Sequence, residues 1–123
     1  MKTEPRVTYQ IGLVGPCGAG KTTLSGLLNA LGISARAIAQ EHSFVQDMWK
    51  RLTNPRILIF LDASYAVTMA RKKFSWSEAE YAEQQRRLLH ARQNADLYIY
   101  TDELNPHEVL NSIVSYRNAH LKS

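Results

Sequence analysis

Two rhythms of apolar and polar positions alternate along this chain. Val7 to Val14 reads Val-Thr-Tyr-Gln-Ile-Gly-Leu-Val, a strand that becomes apolar toward its end. Leu24, Leu27, Leu28 and Leu31 then recur at i, i+3, i+4 and i+7, one face of a helix. Gly32 follows, where helices commonly end on glycine. Ile33 to Ala39 is a weak, alanine-rich second strand, and Gln40-Glu41-His42-Ser43 is its polar tip. Ser43 and Gln46 have capping-box spacing, and Val45, Met48, Trp49 and Leu52 repeat the helical pattern until Asn54-Pro55 stops it. Ile57 to Leu61 is a continuous apolar run ending in Asp62, as expected of a strand covered on both faces in a parallel sheet. A helix is predicted from about Ser64 to Lys73. The next is capped by Ser75 with Glu78 or by Ser77 with Glu80, and reaches about Asn94. Leu97 to Tyr100 is the fourth strand. Asn105, Pro106 and Glu108 supply the cap, N1 and N3 of a last helix that buries Val109, Leu110, Ile113 and Val114.

Strands alternating with helices predict an α/β fold, with helices on both faces of a small parallel sheet and right-handed crossovers. Ligands of such sheets sit beyond the carboxyl ends of the strands. That edge collects the loop at Gly15, the Glu41 tip, Asp62 and the turn Thr101-Asp102-Glu103. With 123 residues and no repeat or linker, one domain over 1–123 is expected.

Between the first strand and helix lies Gly15-Pro16-Cys17-Gly18-Ala19-Gly20-Lys21-Thr22, the spacing G-x-x-x-x-G-K-[ST] of a phosphate-binding loop. Glycines let the backbone curl so that successive N–H groups face phosphate oxygens, and the helix start adds partial positive charge there. Residues 15 to 22, with Thr23 beside them, are therefore the predicted nucleoside-triphosphate cradle. Lys21 would reach the β- and γ-phosphates, and the Thr22 hydroxyl would join the Mg²⁺ shell.

Composition narrows the picture modestly. The net charge of +4 suits a phosphorylated ligand as well as a nucleic acid. With no reader motif or dense basic run, nucleic acid is not the expected partner. No apolar run is long enough to span a membrane, and Met1-Lys2-Thr3-Glu4-Pro5 lacks the apolar region of a secretory signal. Cys17 is the one cysteine, which suits a reducing, cytoplasmic setting. It is read as a small residue filling a loop position.

The whole chain resembles a shortened member of the P-loop nucleoside and nucleotide kinase superfamily. The later half carries the likeness: Leu61-Asp62-Ala63, Arg71, an arginine-bearing helix, and Ala95 to Thr101 leading into Asn105-Pro106-His107-Glu108-Val109. The resemblance implies a three-layer fold with about four parallel strands, ATP or GTP with Mg²⁺, and a lid whose arginines contact phosphate. It also places the base near Thr101 to Leu104. Glu41-His42-Ser43 is similar to the acidic-Arg-Ser strand tip of deoxynucleoside kinases, with His42 where the arginine belongs. The acceptor-binding segment that the family inserts after the first helix is missing, since only Gly32 and Ile33 lead into the next strand.

Two acids compete for Mg²⁺. The apolar run ending in Asp62 has the Walker B form, whereas the resemblance selects Glu41, at the tip of the strand beside the loop strand. Lys21, Glu41, Arg71 and Arg86 are the catalytic candidates. Arg87 and Arg92 are candidates for the same charge-stabilising role, and Arg86 and Arg87 follow Glu83 at a spacing that also makes ordinary surface ion pairs. The expected activity is phosphotransfer to a small-molecule acceptor or NTP hydrolysis. The alternative is a nucleotide-dependent regulatory module, with a second copy or a protein partner on the face the acceptor segment would cover.

Overall fold

The computed structural model describes residues 9–72 and 76–121. Four parallel strands form one sheet: β1 (Ile11–Val14), β2 (Ala35–Ala37), β3 (Ile57–Asp62) and β4 (Leu97–Tyr100), in the order β2-β1-β3-β4. Register is continuous across the centre, with Leu13 opposite both Ala37 and Ile59, and Leu61 opposite Ile99. The helices are α1 (Lys21–Ala30), α2 (Met48–Thr53), α3 (Tyr65–Lys72), α4 (Glu78–Arg87), α5 (Leu89–Asn94) and α6 (Pro106–His120), with a 3₁₀ turn at Gln40–His42.

Strand periodicity divides the core in two. Ile11 and Leu13 of β1, with Ile57, Ile59 and Leu61 of β3, face Leu24 and Leu28 of α1 and Val109 and Ile113 of α6. Val14, Leu58 and Phe60 face the other way, onto Trp49 of α2, Leu88 and Ala91 of the α4–α5 segment. All six β3 residues are buried, as a strand between two helical layers requires. This is the predicted three-layer α/β arrangement with four parallel strands.

Several boundaries differ from the sequence reading. Val7 lies outside the described residues, as do Lys73 and Ser75. The helix predicted from Ser43 begins instead at Met48. The buried side chain of Gln40 accepts from the Trp49 amide at 2.8 Å and donates to the Val45 carbonyl at 2.7 Å, holding the turn open. The Ser43 hydroxyl accepts from Val45 N, and the Gln46 side chain turns to the His90 amide, so the Ser43–Gln46 box does not form. In the short helix only Trp49 and Thr53 face inward, leaving Val45 and Leu52 about half exposed. Leu31 is likewise exposed, because α1 ends at Ala30 and Gly32 turns the chain at φ +81. The helix predicted to run to Asn94 breaks at fully buried Leu88, so that α5 can lie against the sheet. Its start does carry the Ser77–Glu80 capping box, and Asn105 with Glu108 caps α6 reciprocally.

Candidate functional site

The loop from Gly15 to Gly20 leaves the end of β1 and enters α1 beyond the carboxyl edge of the sheet. Glycine at position 15 is a steric necessity: its φ is +150, and a Cβ there would come within 1.9 Å of the Leu61 carbonyl oxygen. The loop thus lies directly on β3. Lys21, only 9% exposed, points back beneath it. Its ammonium donates to the carbonyls of Gly15 (2.6 Å) and Pro16 (3.2 Å) and to Glu41 Oε2 (2.8 Å). Three donors meet three acceptors. Glu41 stands on the 3₁₀ turn that follows β2, is 4% exposed, and its second oxygen, Oε1, is buried with no hydrogen-bond partner among the described residues.

A cleft of about 350 Å³ opens over this pair, lined among others by Cys17, Lys21, Thr22, Thr23, Glu41 and Lys72. Gly18 and Gly20 line it too, while buried Gly15, Pro16 and Ala19 form the layer beneath. A second cleft, of about 400 Å³, shares Gly18, Gly20 and Thr23 and runs on to Arg71, Thr101, Leu104, Pro106 and Val109. Arg71 spans its wall, donating to Gly18 O (3.1 Å), Thr101 Oγ1 (2.9 Å) and Thr101 O (2.7 Å). It therefore ties the loop of residues 15–20 to the turn after β4.

Asp62 is placed differently. It does not line the cleft over Lys21. Its carboxylate accepts from its neighbour Ala63 N (2.9 Å), Gln85 Nε2 (3.1 Å) and the Tyr98 hydroxyl, with Arg92 3.7 Å away. Burial pushes the Tyr98 phenol up to about 12, and its hydrogen bond to Asp62 acts in the same direction. Burial also raises Tyr81, whose hydroxyl donates to Ala63 O. Arg86 is not brought to either cleft: it is exposed and pairs with Glu83, as does Arg87 at 2.8 Å.

Two participants carried no sequence signal. Gln84 is buried on an otherwise polar helix and grips Cys17, accepting from its amide (3.0 Å) and donating to its sulfur (3.4 Å). Lys72 reaches the first cleft from the end of α3. A lone inward glutamine leaves no apolar periodicity to read, and only the helix's packing reveals it.

No family model matches the chain, and no curated protein matches it in sequence. Among solved structures it is similar to shikimate kinase from Acinetobacter baumannii in complex with shikimate. The TM-score is 0.58 at 16% identity, covering 95% of this chain and 97% of that one. At that identity the likeness concerns the fold: a four-stranded parallel sheet with flanking helices, of the P-loop kinase kind.

Proposed function

We propose that this chain binds a nucleoside triphosphate, ATP or GTP, with Mg²⁺ and transfers its γ-phosphoryl group to a small acceptor or to water. The observation that carries this reading is the buried Lys21, held by Gly15, Pro16 and Glu41 at the floor of a cleft rimmed by Thr22 and Thr23. A lysine so placed needs to trade only one partner for a phosphate oxygen. Phosphoryl transfer asks the protein mainly for positioning and charge neutralisation, which this arrangement offers. The triphosphate would occupy the first cleft, and the sugar and base the second, against Leu104, Pro106 and Val109.

The residues fit Mg²⁺. Thr22 and Glu41 line one cleft, and Glu41 Oε1 lacks a partner among the described residues, whereas the Asp62 carboxylate is already satisfied. Thr22 and Glu41 would hold the ion, which when bound would neutralise phosphate charge. The similar protein was solved with shikimate. A small acceptor of this chain would lie across His42 and Gln84 from the loop, in a cleft of about 380 Å³ that includes Trp76 and Arg87. The indole N–H of Trp76 is buried there without a partner among the described residues.

One observation favours a second reading, a nucleotide-dependent regulatory module. Only residues 31–34 separate α1 from β2, which pairs directly with β1. That is the place where nucleoside and nucleotide kinases insert an acceptor-binding segment, and a partner could use the face left open.

The test is calorimetry with a triphosphate and with the bare nucleoside. Lys21→Ala is expected to weaken the triphosphate at least about tenfold while the nucleoside changes little, because the lysine contacts only phosphate. Equal losses for both ligands would overturn the assignment.

A further inference from the structure

The loop and turn beside the first cleft carry a second feature, which shares Glu41 with the proposed Mg²⁺ site but adds sulfur and imidazole. Three different ligand atoms converge between that cleft, lined by Cys17 and Glu41, and the cleft lined by His42: Cys17 Sγ lies 3.3 Å from His42 Nε2 and 3.6 Å from Glu41 Oε2, and those two are 3.8 Å apart. All three residues come from the turns that follow adjacent strands β1 and β2. We infer that Cys17, Glu41 and His42 form a binding site for one Zn²⁺-class cation, with solvent in the fourth position.

The dimensions support this. Zinc–sulfur, zinc–nitrogen and zinc–oxygen bonds of about 2.3, 2.0 and 2.0 Å at tetrahedral angles put ligand atoms roughly 3.3–3.6 Å apart. The observed triangle is thus already close to one face of such a tetrahedron. A nucleophilic relay would need a different layout, with the acid on the ring nitrogen away from the thiol. Here Glu41 and the thiol approach the same nitrogen, so the atoms surround a point instead of forming a chain.

A second observation points to a cation. Glu41 is 4% exposed, and its Oε1 is buried without a hydrogen-bond partner among the described residues. A carboxylate oxygen withdrawn from water with no donor is costly, and a cation bound by the same carboxylate, whose other oxygen Oε2 faces Cys17 and His42, offsets that cost. Glu41 Oε2 also accepts from Lys21, and when zinc takes that oxygen the ammonium still has the Gly15 and Pro16 carbonyls within reach. Gln84 Nε2 donates to Cys17 Sγ, the kind of outer contact that orients a metal ligand. On binding, the Cys17 thiol proton passes to solvent, and the thiolate and carboxylate balance the two charges of the ion. Sulfur and imidazole select zinc over magnesium, so this site is chemically distinct from the Mg²⁺ site at Thr22 and a phosphate, although Glu41 belongs to both.

Because Cys17 is the chain's one cysteine, its thiol reports the site without labels elsewhere. The experiment uses the full chain without nucleotide, so its outcome is separate from that of triphosphate calorimetry. Equimolar Zn²⁺ is expected to slow alkylation of Cys17 by iodoacetamide at least about tenfold, while excess Mg²⁺ does not. Co²⁺ should give a thiolate charge-transfer absorption that Cys17→Ser abolishes. His42 is exposed, so His42→Ala should fold normally, keep its thiol, and lose Zn²⁺ affinity about ten- to a hundredfold. Unslowed alkylation in Zn²⁺, equal slowing by Mg²⁺, or full protection retained in His42→Ala would each overturn the site.

Discussion

Lys21 spends all three of its ammonium protons within the protein, and that makes Glu41 the pivot of the proposed chemistry. A phosphate oxygen arriving in the cleft would compete for the proton now given to Glu41, freeing that carboxylate toward a metal. Asp62 has no such freedom, since Ala63 N, Gln85 and Tyr98 already occupy it. The two acids should therefore separate cleanly by mutation. Glu41→Gln is expected to raise the Mg²⁺ requirement of phosphoryl transfer or hydrolysis about ten- to a hundredfold, as loss of a water-bridged metal contact does. Asp62→Asn should leave the Mg²⁺ requirement unchanged and cost about 1–3 kcal/mol of stability, by leaving buried donors poorly matched. A Mg²⁺ titration alongside urea unfolding reads both, and the reverse pattern would return the metal to Asp62. Zinc and the Mg²⁺-triphosphate complex would both draw on Glu41, so each is expected to weaken the other.

At the scale of elements, β3 and β4 are coupled by more than their ladder. Tyr98 stacks on Phe60 at a centroid separation of 5.5 Å, donates to Asp62, and lies under Arg92. Its pKa is raised to about 12, so folding favours the neutral phenol. The sign follows: this contribution is complete below the ordinary value of 10.0 and is lost as pH rises through about 12. Tyr98→Phe should flatten the fall in stability across that window, and its ultraviolet titration should lose a late-ionising component. An unchanged titration above pH 10 would show that the phenol ionises normally. Strong periodicity made most of these elements legible in sequence: β3 as an unbroken apolar run, α6 from Asn105 and Glu108, α1 between the phosphate loop and Gly32. The failures share a cause. Gln40, buried and bonded to Val45 and Trp49, sets the turn before α2, and Leu88 ends α4 by packing on the sheet. Both are tertiary contacts that local spacing does not encode. The site divides likewise: the loop and Lys21 are written in consecutive residues, whereas Gln84 reaches Cys17 across 67 positions of chain.

For the molecule as a whole, the short link from α1 to β2 sets the strongest constraint. β2 is three residues long and forms the edge of the sheet, and the cleft beside it keeps Thr22 and Thr23 exposed. Kinases gain much of their rate by aligning an acceptor and excluding water as a segment closes over the substrate. Residues 31–34 are the whole connection from α1 to β2, so on the proposed reading such a wall is sought in α4 or in another molecule. A second copy is a reasonable source. Gln46 bonds to the His90 amide, and exposed Val45 and Leu89 are the chain neighbours of that pair, with strongly exposed Phe44 next in sequence under Arg87. The expected behaviour is good triphosphate binding with slow transfer at low protein concentration, and faster transfer where the chain self-associates. The measurement is phosphate release and transfer to nucleosides, nucleotides and shikimate over a wide range of protein concentration, beside sedimentation at each point. Rapid transfer by the monomer, at the roughly 1–100 s⁻¹ usual for kinases and independent of concentration, would mean that the cleft at His42, Trp76 and Arg87 is a sufficient acceptor site in a single chain.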